Sequence, residues 1–340
     1  MPRPPPDELN NKVVADTIAS NPSLFTIVTP INVDRFEELL VTHPNRPFVE
    51  SVCWGLRHGF WPPGGDTHSG IYPETHDASL PTPLAKERAD FMETQCQIEV
   101  DSGRFSHSFG SSLLPGMYCM PVYAVPKPDS EDLRLITDHS ASSFSLNSMI
   151  PRNEHPSYPL DNLHSLGEIL ISAQGKDRAQ NLILFKSDVS IAYRLMPMHP
   201  FWQVKQAVRV GGLLYIDRCG VIGGRRSGDY SVSFHSLVTW IAREIKDITD
   251  LLVYSDDFFG INEATDFTFY PPYNQHLPSR QYRLLLLWDE LGIPHKMKKQ
   301  ISGSPLNIIG IEVDPNHLTY TLSSAARQSL IDELLKFCQK

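Results

Sequence analysis

The 340-residue sequence is short of three things that would each point to a protein class: paired cysteines, long apolar runs and basic charge. Its five cysteines (Cys53, Cys96, Cys119, Cys219 and Cys338) are scattered, odd in number and never spaced C-x-x-C. That usage argues against a disulfide framework or a thiolate zinc site and favours a reducing intracellular setting, cytoplasm or nucleus. The longest apolar run, Leu284 to Trp288, falls far short of the ~20 residues needed to span a bilayer. The opening MPRPPPDELNNK has no apolar core for a signal peptide. Membrane-spanning, secreted and disulfide-stapled classes are set aside on these grounds. The missing basic surplus, 30 Lys+Arg against 39 Asp+Glu, argues at first sight against a protein that holds nucleic acid.

What is present reads as a folded protein. Hydrophobic residues make up 41% and charged ones 20%, too apolar for intrinsic disorder, and the length suits roughly two domains. The acid surplus is uneven. Residues 1–110 hold 8 Lys+Arg and 15 Asp+Glu, whereas residues 111–340 hold 22 and 24. The net charge therefore says little about any site in the later two-thirds.

Along the chain, residues 1–110 read as a mostly helical leader, with helices expected at Val33 to Val41, Phe48 to His58 and Thr82 to Ser102. Residues 59–83, crowded with Gly, Pro, Ser and Thr, read as an irregular linker. From Met117 onward the pattern becomes strands, turns and helices. Tyr118 to Val125 and Leu133 to Thr137 suggest a hairpin, as do Phe201 to Val208 and Gly211 to Asp217. Asn181 to Asp188 is an apolar strand ending in polar residues. Ser231 to Ile248 and Gln281 to Leu291 carry helical spacing, the second stopping at Gly292-Ile-Pro. Leu251 to Ile261 is two apolar runs about a polar turn, and Ile308 to Val313 with Leu318 to Leu322 suggest a last strand pair. The grammar is α+β, an antiparallel sheet with helices on one face.

The sharpest local feature is Tyr254-Ser255-Asp256-Asp257 between LLV and FFGI. On a straight strand adjacent acids point to opposite faces, but at a hairpin tip both can approach one point. Alone, such a turn reads as a solvated Asp-Asp corner. A second acid shifts that reading, because Asp188 also ends an apolar strand. Three carboxylates together repel one another unless cations bind among them. Hard divalent ions take oxygen ligands, and two of them ~3.5–4 Å apart can clamp an in-line phosphoryl transfer.

With these motifs the chain resembles the fingers and palm of a reverse transcriptase. It is most similar to those of retrotransposons, with the tyrosine-recombinase (DIRS-like) elements of fungi as the candidate lineage. Phe185 to Pro197, containing Asp188 and Tyr193, matches the first palm motif, and Tyr254 to Asp257 the Tyr-x-Asp-Asp motif. The resemblance implies Asp188, Asp256 and Asp257 as ligands of two Mg²⁺ ions (Mn²⁺ as an alternative) and Tyr193 as the steric gate against a ribonucleotide 2′-hydroxyl. Lys127 and Arg134, seven apart across a hairpin, would hold the incoming dNTP's phosphates, with Asp138 four residues on. Lys299, or Lys298 beside it, would lie near the leaving pyrophosphate, where general-acid help is worth ~10²–10⁴ in rate. Leu306 to Val313 resembles the strand pair that grips the primer end. The implied activity is RNA-directed DNA polymerisation, with dNTPs and a primed RNA or DNA template as partners.

Two departures accompany the resemblance. The template-positioning motif lacks its Pro-Phe pair and reads Gly220-Val-Ile-Gly-Gly224-Arg-Arg-Ser-Gly228, and Ser140 stands where many relatives carry a second Arg. Fingers and palm are expected over residues 111–325, with 326–340 opening a thumb or connection that the chain does not complete. An inactive remnant that keeps the palm fold and at most binds nucleic acid is the alternative reading.

Overall fold

A computed structural model describes residues 1–62, 72–79, 85–127, 131–151, 159–176 and 181–338. Much of the expected linker over 59–83, and the tip of the hairpin loop at 128–130, lie outside the described residues. The chain divides into two compact units, Met1–Ser157 with Ile191–Ser233, and Tyr158–Ser190 with Phe234–Lys340. Residue 110 falls inside the first unit.

In the first unit, α1 (Pro6–Leu9), α2 (Lys12–Ser20), α3 (Val33–Leu39) and α4 (Arg46–His58) follow one another. Asn11, Asn32 and Asn45 each accept a backbone N–H at the start of α2, α3 and α4, supplying orphan donors with an acceptor. After β1 (His76–Asp77) comes α5 (Lys86–Asp101), which buries Met92 and Cys96 against Val122, Ala124 and Val208. The strand expected at Tyr118 to Val125 is in fact two. β2 (Tyr118–Met120) joins a sheet ordered β1-β2-β6-β7, whereas β3 (Val122–Pro126) pairs antiparallel with β4 (Leu133–Thr137). Pro121 separates them, as a residue with no N–H to give a ladder.

The chain then enters the second unit through α6 (Leu163–Lys176), capped by Asn162, and β5 (Leu182–Val189). It returns to the first unit at Ile191. There α7 (Pro200–Gln203) occupies residues read as strand, because His199 accepts the Phe201 N–H and Pro200 supplies a preset first helical turn. β6 (Ala207–Val210) and β7 (Leu213–Ile216) form the expected hairpin about Gly211-Gly212. α8 (Ser227–Trp240) crosses back into the second unit at Phe234 and ends in a π-helical turn, Ile241–Ile245.

The second unit is built on a sheet ordered β12-β5-β9-β8, from β8 (Leu251–Tyr254), β9 (Asp257–Glu263), β5 and a later strand, β12. Between them lie the hairpin β10 (Phe267–Tyr270) and β11 (Gln275–Pro278), then α9 (Ser279–Leu291). Gly292 ends α9 at φ +74, where glycine meets no Cβ penalty. β12 (His295–Gly303) follows, then a three-stranded sheet of β13 (Leu306–Ile308), β14 (Ile311–Asp314) and β15 (Thr319–Leu322), and α10 (Ser324–Cys338). Ile308 to Val313 was expected as one strand. It is split by a two-residue turn at Ile309 and Gly310, both with positive φ. Leu166 and Leu170 of α6 pack with Leu184, Leu252, Phe259 and Ile308, so the helix and both small-sheet and main-sheet strands share one core. Among the described residues no helix is long and apolar enough to cross a membrane.

Candidate active site

The second unit brings three predicted acids to one end of its main sheet. β5 and β9 run antiparallel with Asp188 directly opposite Asp257. β8 and β9 form a two-residue hairpin in which Tyr254 pairs with Asp257, leaving Ser255 and Asp256 as the turn. Ser255 takes φ +61, the left-handed region that tight hairpin turns require. Cross-strand partners point to the same face, so Asp188 and Asp257 share one, and Asp256 joins them from the tip.

Like charges facing each other in a ladder are destabilising, and the electrostatics show the strain. The Asp256 carboxyl lies above its ordinary range because it is buried and because Asp188 and Asp257 are nearby. Asp188 is also raised, by burial first, with Asp257 adding and Lys299 opposing. Lys299 Nζ lies 2.7 Å from Asp188 Oδ2 and donates to the Val189 carbonyl at 3.1 Å. It reaches there through a bulge: His295 pairs with Val189 but Gln300 pairs with Ser187, so residues 296–299 loop out opposite the single residue Asp188.

Two further residues complete the site, and neither was among the predicted ones. Lys186, two before Asp188 on the same strand face, places Nζ 2.9 Å from Asp257 Oδ2. Its signal was in the sequence, since strand alternation puts residues i and i+2 together. The other is His235 of α8, fully buried, whose Nδ1 lies 3.1 Å from the Ser255 carbonyl oxygen that it can bond as donor. Burial pushes this imidazole down to about 4, so it is neutral at pH 7. No local pattern announces it, because the contact spans twenty residues of fold. Beneath the acids, Gln281 of α9 donates to the Lys186 carbonyl and to Ser187 Oγ, each at 3.1 Å, which fixes β5 from its buried side.

As they stand, the carboxylates are turned to lysines. Among the described residues no three acid, His or Cys side chains are arranged to hold a metal ion. The donor chemistry nevertheless suits a hard divalent cation: three carboxylate donors, crowded enough to raise two of them.

The remaining predicted residues belong to the first unit. Arg134 pairs across β3–β4 with Val125, and Lys127 extends the ladder by donating its N–H to the Asp132 carbonyl at 2.8 Å. Alternation therefore puts Lys127 and Arg134 on one face, opposite the face of Ala124 and Leu135 that packs on α5. Lys127 Nζ meets Asp132 at 3.3 Å and is largely exposed, while Arg134 Nε is buried without a hydrogen-bond partner. Asp138 Oδ1 accepts the Ser140 N–H. Tyr193 is half-buried in the 3₁₀ turn Ala192–Leu195, entered through Ile191 at φ +55, a strained conformation for a β-branched residue. Beside it, Arg194 is held by both oxygens of Asp217 at 2.8 Å and by Glu99 Oε2 at 2.8 Å.

The Gly-rich segment has a role the sequence reading did not foresee. A Cβ on Gly223 would sit 2.4 Å from the Thr137 carbonyl oxygen, and one on Gly220 2.9 Å from that of Tyr193. These glycines let the segment lie against the backbone of β4 and of the Tyr193 turn.

No protein-family model matches the sequence, and neither does any curated protein. Solved structures do. A foamy viral protease–reverse transcriptase in complex with double-stranded DNA aligns at TM-score 0.50 and 16% identity, over 88% of this chain and 58% of that one. A dRH form of the foamy viral protease–reverse transcriptase with double-stranded DNA aligns at 0.51 and 15%, over 91% and 51%. The chain spans only about half the length of these neighbours. The fold is thus α+β and reverse-transcriptase-like, in keeping with fingers and palm.

Proposed function

We propose that the chain is an RNA-directed DNA polymerase from a retroelement, extending a primer 3′-hydroxyl with dNTPs. The observation that carries this reading is the register of β5 against β9, which sets Asp188 opposite Asp257 with Asp256 at the adjoining turn. A retrotransposon origin, including a fungal DIRS-like one, an intracellular setting, and fingers and palm over 111–325 leading to a thumb or connection from 326, belong to the same proposal. The neighbours' complexes with DNA support a nucleic-acid partner.

In this reading Asp188, Asp256 and Asp257 would hold Mg²⁺ or Mn²⁺, which would supply Lewis-acid activation of the primer hydroxyl and neutralise phosphate charge. The 3′-hydroxyl gives up its proton to solvent, and its oxygen bonds to the α-phosphorus as the bond to pyrophosphate breaks. Lys299, whose Nζ lies 2.7 Å from Asp188 Oδ2, would hand a proton to the leaving pyrophosphate oxygen. Lys127 and Arg134 supply a point charge and a fork for the triphosphate. The Tyr193 ring, set on a strained turn, excludes the 2′-hydroxyl of a ribonucleotide.

Primer extension on RNA and DNA templates with Mg²⁺ and dNTPs tests it. Wild type should extend, and Asp256→Asn should lose at least ~10² in rate by analogy with the loss of a preorganised electrostatic group. Equal, nonzero rates for the two proteins would refute the assignment. Salt-dependent binding of a hybrid with no extension under either metal would favour the inactive remnant.

A further inference from the structure

We infer that Lys186 and Lys299 are resident counter-ions that compete with divalent cations for the carboxylates, with Lys186 setting how tightly the free protein binds metal. The inference rests on the polymerase reading of Asp188, Asp256 and Asp257.

Each lysine takes a different acid. Lys186 Nζ is 2.9 Å from Asp257 Oδ2, and Lys299 Nζ is 2.7 Å from Asp188 Oδ2. Three carboxylates and two ammonium groups leave the cluster with one negative charge. The two lysines are held differently. Lys299 rides on the bulge over 296–299 and has a second acceptor in the Val189 carbonyl, so it has somewhere to remain when Asp188 is taken. Lys186 projects from the regular ladder of β5, with its carbonyl tied to Gln281 and Phe259 as its partner on β9. Asp257 is the ion-pair partner of its ammonium group, and Lys186 sits on the same strand as Asp188.

A cation at Asp257 must therefore displace an ammonium group anchored on a rigid strand. Both pair members are more than two-thirds buried, so the pair is screened less than a surface one. A hydrogen-bonded alkylammonium is a weaker claimant than a hard divalent ion for two or more carboxylate oxygens, but it is always present. It acts as a threshold: the site stays lysine-paired at low metal concentration and opens when metal, or metal arriving with a nucleotide's phosphates, outcompetes the lysine. Lys186 is thus a positioning residue acting through Asp257.

The test is metal binding by the free protein, without primer or nucleotide. Isothermal titration with Mn²⁺ of wild type, Lys186→Met, Lys186→Arg and Asp188→Asn is compared at pH 7, with circular dichroism confirming that each variant folds. Lys186→Met should bind Mn²⁺ about threefold to tenfold more tightly, as removal of a partly buried competing pair implies. Lys186→Arg, which keeps the charge, should stay near wild type. An unchanged or weakened affinity in Lys186→Met, with Asp188→Asn losing the site, overturns the counter-ion role while leaving the polymerase reading intact. Mn²⁺ binding that survives Asp188→Asn unchanged overturns both. If Lys186→Met fails to fold, Lys186→Gln is measured in its place against the same two outcomes.

Discussion

Both units gather charge in quantity, but they treat it in opposite ways. In the first, Arg194, Glu99, Asp217 and Arg104 form a closed cluster, and Glu99 is only 7% exposed. Burial works against ionising Glu99, yet the hydrogen bonds and charges of Arg104 and Arg194 pull its carboxyl down to about 2. Glu8 and Lys205 form another buried pair there. In the second unit, Asp188 and Asp256 are raised rather than lowered, and their lysine partners leave an acid surplus. Burial raises Asp217 of the first cluster as well, to about 6, so the difference lies in the balance: two guanidinium groups meet two carboxylates there. The second cluster has three carboxylates against two lysines, and an unbalanced carboxylate is what a cation-binding or catalytic site requires.

The contrast can be broken most directly at Arg194. Arg194→Met would strand the buried Asp217 carboxylate and leave Glu99 to Arg104 alone, and should cost about 3–5 kcal/mol in chemical denaturation. A loss below ~1 kcal/mol would mean the first unit's cluster is no more structural than the second's. His235→Gln, beneath the Asp256 turn, should cost about 1–3 kcal/mol at pH 7, from the lost buried bond to Ser255. It should also flatten the acid limb of stability. Neutral His235 is favoured by the fold, so its contribution is complete above the ordinary 6.5 and is lost as pH falls toward about 4. Denaturation midpoints across that window, with no difference between variant and wild type, would remove His235 from the account.

Asp256→Asn should behave in the opposite sense. A carboxyl raised in the fold penalises the folded state at neutral pH, and the penalty disappears as pH falls below the ordinary 3.8. The variant should therefore be as stable as metal-free wild type or more so, by up to ~1 kcal/mol at pH 7, with the gain vanishing near pH 4. Thermal melts in chelator decide this, and a destabilised variant would mean that the acids support the fold. The smallest stability effect is expected at Lys127. Its pair with Asp132 is exposed, so Lys127→Ala should change stability by less than ~0.5 kcal/mol. Its role in the proposal predicts an apparent KM for dNTP raised about tenfold, as loss of a charged hydrogen bond would do. An unchanged KM would return Lys127 to an ordinary surface lysine.

The elements most legible beforehand were those whose cause is local. The Tyr254 to Asp257 turn, the β4 strand and the end of α9 at Gly292 all follow from short-range alternation and φ preference. Less legible were elements whose boundary depends on a partner. β2 and β3 share a continuous apolar run, and only membership in different sheets shows that Pro121 divides them. The hairpin of β10 and β11, and α6, were not foreseen, because short apolar patterns do not say what they will cover.

The candidate site divides along the same line. That Asp188, Asp256 and Asp257 sit at a strand end and a hairpin tip was decided locally, by the spacing of apolar runs and turn residues. Which side chain faces which was decided by register and packing. Asp188 lies opposite Asp257 because β5 and β9 pair in that frame, and a one-residue slip would turn every side chain over. Lys299 meets Asp188 because β12 bulges there, and His235 supports the turn because α8 packs beneath it. Hydrophobic period and turn chemistry are carried by neighbours in the chain. Charge balance among distant residues exists only once the sheet has closed.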